Sequence, residues 1–237
     1  FNGKDLPYVD NLVNLVVVKG SKLKVAGEEI KRVLVPGGVC VAPLKSEISN
    51  LRLDRVGDRL VYRKPVPDSI DDWTHYLYDA SNNAVGADER VGPPKYHQWI
   101  AGPRWARSHD HLSTTSAVVS SAGRIFYIVD EGLTASVALD PHWTLIARDA
   151  FSGVLLWKKP VEPWEDQLRP FRSGPAELPR RLVASGQRVY VTLGYGKPLV
   201  ALDAATGDEL FERGLGCLRP GLSVVVGDDD VVILESI

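Results

Sequence analysis

The sequence predicts an α/β segment followed by an all-β region of repeated units, the latter reading as incomplete β-propeller blades. Three observations carry this. Residues 12–18 and 39–42 are apolar runs on either side of a short amphipathic stretch, giving the order strand, helix, strand. From Ser116 onward a turn followed by a strand recurs at residues 122–128, 185–191 and 226–233. Inside that region, residues 145–157 line up with residues 199–211, with Asp149 matched to Asp203 and Gly153 to Gly207.

The first zone, residues 1–64, starts with a nearly continuous apolar run at 12–18. Such a run predicts a parallel strand covered on both faces. Residues 27–34 predict a short helix with Ile30, Val33 and Leu34 on one face, stopped by Pro36-Gly37-Gly38. Residues 39–42 follow as a second buried strand. Two short strands around Gly57-Asp58, within 51–62, give a hairpin. The whole reads as a β-α-β unit plus a hairpin, an α/β domain without its first half.

Residues 65–115 form a loop-rich connector. Pro65, Pro67, Pro93, Pro94 and Pro103 punctuate it, and it has little periodicity. Its aromatics, Trp73, Tyr76, Tyr78, Tyr96, Trp99 and Trp105, set it apart from disordered linkers, so it is expected to pack against the blades.

The third zone, residues 116–237, holds the repeats. Val189 and Val231 stand 42 residues apart, within the roughly 40–50 of a four-stranded blade. Arg124 and Arg188 stand 64 apart, which requires insertions, and residues 134–144 and 163–177 supply them. In the aligned motif an Asp accepts backbone N–H groups of a turn, Ser or Thr caps it, and Gly supplies positive φ. The closing aromatic, Trp157 or Phe211, is placed to pack across neighbouring blades.

Composition narrows the function classes. The chain has 237 residues, 44% of them apolar and 24% charged, with a formal charge of -2. Neither sign dominates, which argues against a nucleic-acid partner. No apolar run reaches the roughly 18–20 residues of a membrane-spanning helix. Cys40 and Cys217 lie far apart and make neither a metal spacing nor a disulfide framework. The absence of Met, the start at Phe1-Asn2-Gly3 and the apolar run 231–237 read as an internal piece of a longer protein.

The paired motif Ala147-x-Asp149-x-x-x-Gly153-x-x-x-Trp157 and Ala201-x-Asp203-x-x-x-Gly207-x-x-x-Phe211 resembles the quinoprotein-type (PQQ-like) β-propeller repeat. That family includes pyrroloquinoline quinone dehydrogenases and outer-membrane assembly scaffolds. The resemblance implies a bacterial-type binding or scaffold module with a protein or polymer ligand on its loops, and an extracytoplasmic location. Quinone-dependent members use an adjacent-cysteine disulfide and a calcium site. The chain has no Cys-Cys pair, so pyrroloquinoline quinone with calcium is not expected, and a dehydrogenase is the lesser alternative.

Leu6-Pro7-Tyr8-Val9-Asp10-Asn11 and Glu29-Ile30-Lys31-Arg32-Val33-Leu34-Val35-Pro36-Gly37-Gly38 resemble the later half of a class I S-adenosylmethionine-dependent methyltransferase. The resemblance implies a partial Rossmann-like sheet over residues 1–64 and places Asn2 and Gly3 on the adenine side of S-adenosylmethionine. A methyltransferase is therefore the other enzymatic alternative.

Several clusters invite a site. His109, Asp110 and His111 have metal-ligand chemistry, but the same residues cap loops. Asp71 and Asp72 before Trp73-Thr74-His75 raise the same thought and also read as a helix start. Asp228, Asp229 and Asp230 read as the turn of a hairpin rather than a calcium loop. Arg104, Arg107, Arg169 and Arg172 with Trp105 and Trp164 could line an anionic sugar or polymer site, or pack within the insertions.

Overall fold

The computed structural model describes residues 4–19, 25–44, 48, 51–90, 92–93, 96–105, 114–136, 138–162, 164, 179–213, 222–226 and 231–235. The chain divides into two compact units. The first comprises residues 1–70, 88–100 and 151–153; the second comprises 71–87, 101–150 and 154–237.

In the first unit, β1 (Val13–Val17) leads through helix α1 (Gly27–Val33) to a parallel partner, β2 (Leu34–Pro43). Strands β3 (Arg52–Val56) and β4 (Arg59–Arg63) form the expected hairpin, and β4 pairs antiparallel with β2. The sheet order is β1-β2-β4-β3. Helix α1 buries Ile30 and Val33, with Glu28 and Glu29 in its first turn and Lys31 and Arg32 in its last, complementing the helix dipole.

Two expectations change here. The helix ends at Val33, because Leu34 already has extended backbone at φ -65° and ψ 136°. Pro36-Gly37-Gly38 therefore does not stop a helix; it lies inside β2, where the register to β1 slips between Val13 and Leu15. Gly37 takes φ +77°, and a Cβ at Gly38 would lie 2.8 Å from the Val35 carbonyl oxygen, so both positions need glycine. The second change concerns β1, which is covered on one face only. Val16 and Val18 pack on Ile30, Leu34 and Cys40, whereas Leu15 and Val17 remain 56% and 53% exposed.

The second unit is antiparallel throughout. Strands β5 (Thr115–Ser121), β6 (Arg124–Asp130), β7 (Trp143–Asp149) and β8 (Leu155–Pro160) form one four-stranded meander. Strands β9 (Leu182–Ser185), β10 (Arg188–Thr192), β11 (Leu199–Asp203) and β12 (Glu209–Arg213) form another, entered through a 3-10 turn at Pro179–Arg181. A third begins with the hairpin β13 (Leu222–Val226) and β14 (Val231–Glu235). These are propeller-like blades, and the first strands β5, β9 and β13 lie side by side.

One apolar core runs through both meanders, from Val119, Phe126 and Leu145 to Leu182, Val189 and Leu202. Because each middle strand is covered on both faces, β7 and β11 are buried almost end to end. The outer strand β8 is largely exposed.

Each four-stranded meander has two unlike ends. At one end are the tight turns at Ala122-Gly123 and Gly186-Gln187 and the motif turns after β7 and β11. The opposite end carries the connection 193–198, the described residues of 131–142 and the 3-10 turn.

Candidate functional site

The repeat motif builds a turn held by its aspartate. Asp203 Oδ1 accepts the N–H groups of Ala205 at 2.8 Å and Thr206 at 2.9 Å, and the Thr206 hydroxyl at 3.3 Å. The Gly207 N–H donates to the Asp203 carbonyl at 2.8 Å, with Gly207 at φ +78°. The backbone donors of Thr206 and Ala205 hold the Asp203 carboxyl below the usual carboxylate range. The Thr206 hydroxyl donates to Asp208 Oδ2 at 2.8 Å and closes the loop.

The turn after β7 repeats this frame. Asp149 N–H donates to the Val154 carbonyl at 2.9 Å as Asp203 N–H donates to Asp208 at 2.8 Å. Ala150 N–H donates to Gly123 as Ala204 N–H donates to Gln187. Both hairpins carry a bulge at the same place: Trp157 pairs with Ala147 and Phe211 with Ala201 before the register slips.

The closing aromatic has a defined task. Trp157 lies over Gly207, where a Cβ would come within 2.7 Å of the indole. Its Nε1–H donates to the Ala204 carbonyl at 3.1 Å, and its ring stands 6.0 Å from that of Phe126. The first blade thus places its closing tryptophan on the glycine turn of the second. In the first unit Trp99 stands over Gly153 in the same manner, with Gly153 at φ +71°. By sequence Trp99 is one more aromatic of the connector; Gly153 of the repeat motif is the signal that marks its partner.

The connector segment 71–87 forms no helix, contrary to the reading of Asp71-Asp72 as a helix start. Asp71 Oδ2 accepts the Ala87 N–H at 2.6 Å, and Asp72 Oδ2 accepts the Ala122 N–H at 2.9 Å. Both ring nitrogens of His75 are engaged: Nδ1 lies 2.7 Å from the Thr74 hydroxyl, and Nε2 accepts the Val226 N–H at 3.2 Å. His75 is therefore committed to backbone and hydroxyl partners, not to a metal.

Of the proposed arginine and tryptophan surface, Trp164 belongs to the buried core. Trp105 is exposed, with the Arg104 guanidinium 5.9 Å from its ring centre. Arg107, Arg169 and Arg172 lie outside the described residues, as do His109, Asp110, His111 and the three aspartates Asp228, Asp229 and Asp230. Among the described residues no group of three His, Cys, Asp or Glu could hold a metal ion.

The insertion end of the blades has a distinct chemistry. Trp143 Nε1, Trp164 Nε1, Thr192 Oγ1, Ser116 Oγ and Arg180 Nε are shielded from solvent and have no hydrogen-bond partner among the described residues. Each can donate a hydrogen bond, and an unmet buried donor costs roughly 1–3 kcal/mol. All five sit where β5 and β7 begin, where β10 ends, or in the passage between blades.

In the first unit the two motifs meet in one clamp. Glu29 Oε1 accepts the Leu6 N–H at 2.7 Å, and its carboxylate takes Arg32 in a paired contact at 2.6 and 2.8 Å. Arg32 Nη1 also donates to Asp10 at 2.6 Å and to the Tyr8 carbonyl at 2.9 Å. The Arg32 hydrogen bonds, first among the causes, hold the Glu29 carboxyl down at about 2. Lys64 Nζ caps the helix end, donating to the carbonyls of Lys31 and Leu34 and to Asn11 Oδ1. Burial pushes the Lys64 ammonium below the ordinary lysine value. Asn2 and Gly3 lie outside the described residues.

Taken together, the second unit holds two four-stranded β blades, joined where Trp157 covers Gly207, and a further hairpin. Comparison with known proteins agrees: residues 142–236 match the profile of the family described as outer membrane protein assembly factor BamB. That part of the chain is similar to PQQ-like repeats. Among solved structures, a europium-containing methanol dehydrogenase aligns with a TM-score of 0.36 and 13% identity, over 68% of this chain and 27% of that one. A quinohemoprotein alcohol dehydrogenase from Comamonas testosteroni aligns with a TM-score of 0.31 and 12% identity, over 65% and 21%. The chain thus spans about a quarter of the length of these structures. No curated protein matches it.

Proposed function

We propose that the repeat region is a binding or scaffold module that takes a protein or polymer ligand rich in hydrogen-bond acceptors at the insertion end of its blades. The observation that supports this is a pair of donors without a partner among the described residues, Ser116 Oγ and Arg180 Nε, on half-buried residues at that end. Carboxylate, sulfate or sugar hydroxyl oxygens would satisfy them. The turn end, by contrast, has its polar groups paired internally around Asp203 and Asp72.

The test is binding of polygalacturonate and of an extended acidic peptide to the chain, with Ser116→Ala and Arg180→Gln as variants that each remove one of these donors. Binding weakened about two- to tenfold by each variant, with Tm unchanged, supports the reading. No binding of either probe at millimolar concentration removes it.

A second reading has its own observation. We propose that residues 1–64 are the later half of a methyltransferase-like sheet. Support comes from β1, α1, β2 and the β3–β4 hairpin in the order expected, and from the clamp that joins Leu6, Tyr8 and Asp10 to Glu29 and Arg32. That clamp gives the two motifs a structural task, whatever the activity. Calorimetry of S-adenosylmethionine with the full-length protein tests it; absence of binding leaves the sheet with a structural role alone.

A further inference from the structure

We propose that residues 72–75 form a strap tying the first strands of three successive blades, and that His75 is its acid-releasable link to the third. Strands β5, β9 and β13 stand side by side, and three consecutive residues of the strap each take one backbone N–H from one of them. The Trp73 carbonyl accepts Ser120 N–H at 2.7 Å, the Thr74 carbonyl accepts Ala184 N–H at 3.0 Å, and His75 Nε2 accepts Val226 N–H at 3.2 Å.

The three donors occupy matching places. Ser120 pairs with Ile125 and Ala184 with Val189 across the tight turns, and Val226 pairs with Val231 across the turn of the third hairpin. The strap therefore advances one residue for each blade. Its hold on the first blade is multiple, since Trp73 N–H also donates to Ser120 Oγ at 2.9 Å and Asp72 Oδ2 takes Ala122 N–H at 2.9 Å. Among the described residues, its polar hold on the third blade is the imidazole.

That link has a defined protonation state. An N–H pointing at Nε2 requires a lone pair there, so the proton sits on Nδ1 and is donated to the Thr74 hydroxyl at 2.7 Å. The Thr74 hydroxyl in turn donates to the Tyr78 carbonyl at 3.3 Å. A second proton on the ring would set two donors against each other at Val226, and the bond would be lost. Burial of His75 also pushes its pKa below the ordinary value, against a smaller opposing pull from Asp79.

Among the described residues the charged surroundings are few. Strands β5, β9 and β13 contain no ionisable side chain. The 3-10 turn packed on β13 brings Arg180 and Arg181, and Arg181 donates to the Tyr195 carbonyl at 2.7 Å and stacks on its ring. Tyr78, whose carbonyl accepts His75 N–H, has its phenol bonded to Asp71. Asp228, Asp229 and Asp230 follow Val226 in sequence and lie outside the described residues. Because the folded chain holds the neutral ring, the unfolded state binds more protons below about pH 6.5, and the link weakens as pH falls through that range. Apolar contact of Val224 with Val183, Tyr190 and Leu199 persists, so acid loosens the third blade without unfolding the other two.

The experiment is amide exchange at Val226 in the 237-residue chain, corrected for intrinsic rate, between pH 7.5 and 5, beside His75→Gln, whose uncharged side chain keeps an acceptor. Wild type is expected to exchange at least about tenfold faster at pH 5 while Ser120 and Ala184 hold, with the variant flat. Equal pH dependence in both proteins, or none in wild type, overturns the proposal. Should the variant fail to fold, nitrogen shifts of the His75 ring in wild type decide alone: a proton on Nδ1 only at pH 7.5 supports it, and a proton on Nε2 refutes it.

Discussion

Strands β1 and β11 are written in much the same apolar alphabet, Val-Asn-Leu-Val-Val against Leu-Val-Ala-Leu-Asp, yet they end in opposite environments. In β11 four residues in succession are buried, since a blade packs on each face. In β1 only the side toward α1 is covered, and Leu15 and Val17 face outward. The contrast teaches that an apolar run states a capacity for burial, while the cover comes from elsewhere in the chain.

The sharpest way to break this comparison is a pair of truncations. Leu202→Ala, at a fully buried site, is expected to cost about 3–4 kcal/mol in urea unfolding, against less than about 1 kcal/mol for Leu15→Ala. Equal costs would mean that β1 is covered after all. Next come two glycines with positive φ. Gly207→Ala meets the Trp157 ring as well as backbone strain and should lose about 3 kcal/mol; Gly186→Ala, with open space around it, should lose about 1 kcal/mol. If the two match, the tryptophan does not bear on the turn.

Ala122 sharpens the same point in the other direction. It sits at φ +50° in a tight turn, so Ala122→Gly should gain about 1 kcal/mol, read as a rise in Tm. The smallest effect belongs to Asp203. Its folded pKa is depressed, so its contribution is complete above the unfolded value near 4 and is lost as pH falls below it. Asp203→Asn should flatten the stability profile on that acid side, and an unchanged profile would show that another carboxylate carries it.

Legibility in the sequence followed the range of the interactions. The motif turns were readable because Asp203, Thr206 and Gly207 satisfy one another within five residues, and local chemistry leaves a local signature. The β3–β4 hairpin was readable for the same reason at Gly57. The strap was not, because Trp73 and Thr74 act through carbonyl oxygens that every residue possesses, and their partners lie 47 residues away or more. The clamp of Glu29 and Arg32 was half visible: its two motifs stood out, but not the bonds that make them one feature. Pro36-Gly37-Gly38 was misread as a helix stop, since the same residues also suit a bulge inside a strand.

The tryptophan laid on the following glycine also gives the array a direction. Trp157 reaches forward to Gly207, and Phe211, which holds the matching place in the next hairpin, stands exposed with its own ring to offer. The two four-stranded meanders each carry both elements of the joint, a closing aromatic (Trp157, Phe211) and a glycine turn (Gly153, Gly207). A repeat that carries the same pair of features can meet its neighbour through the same contact. Coupling of this nearest-neighbour kind lets the number of blades drift while the joint between them stays the same.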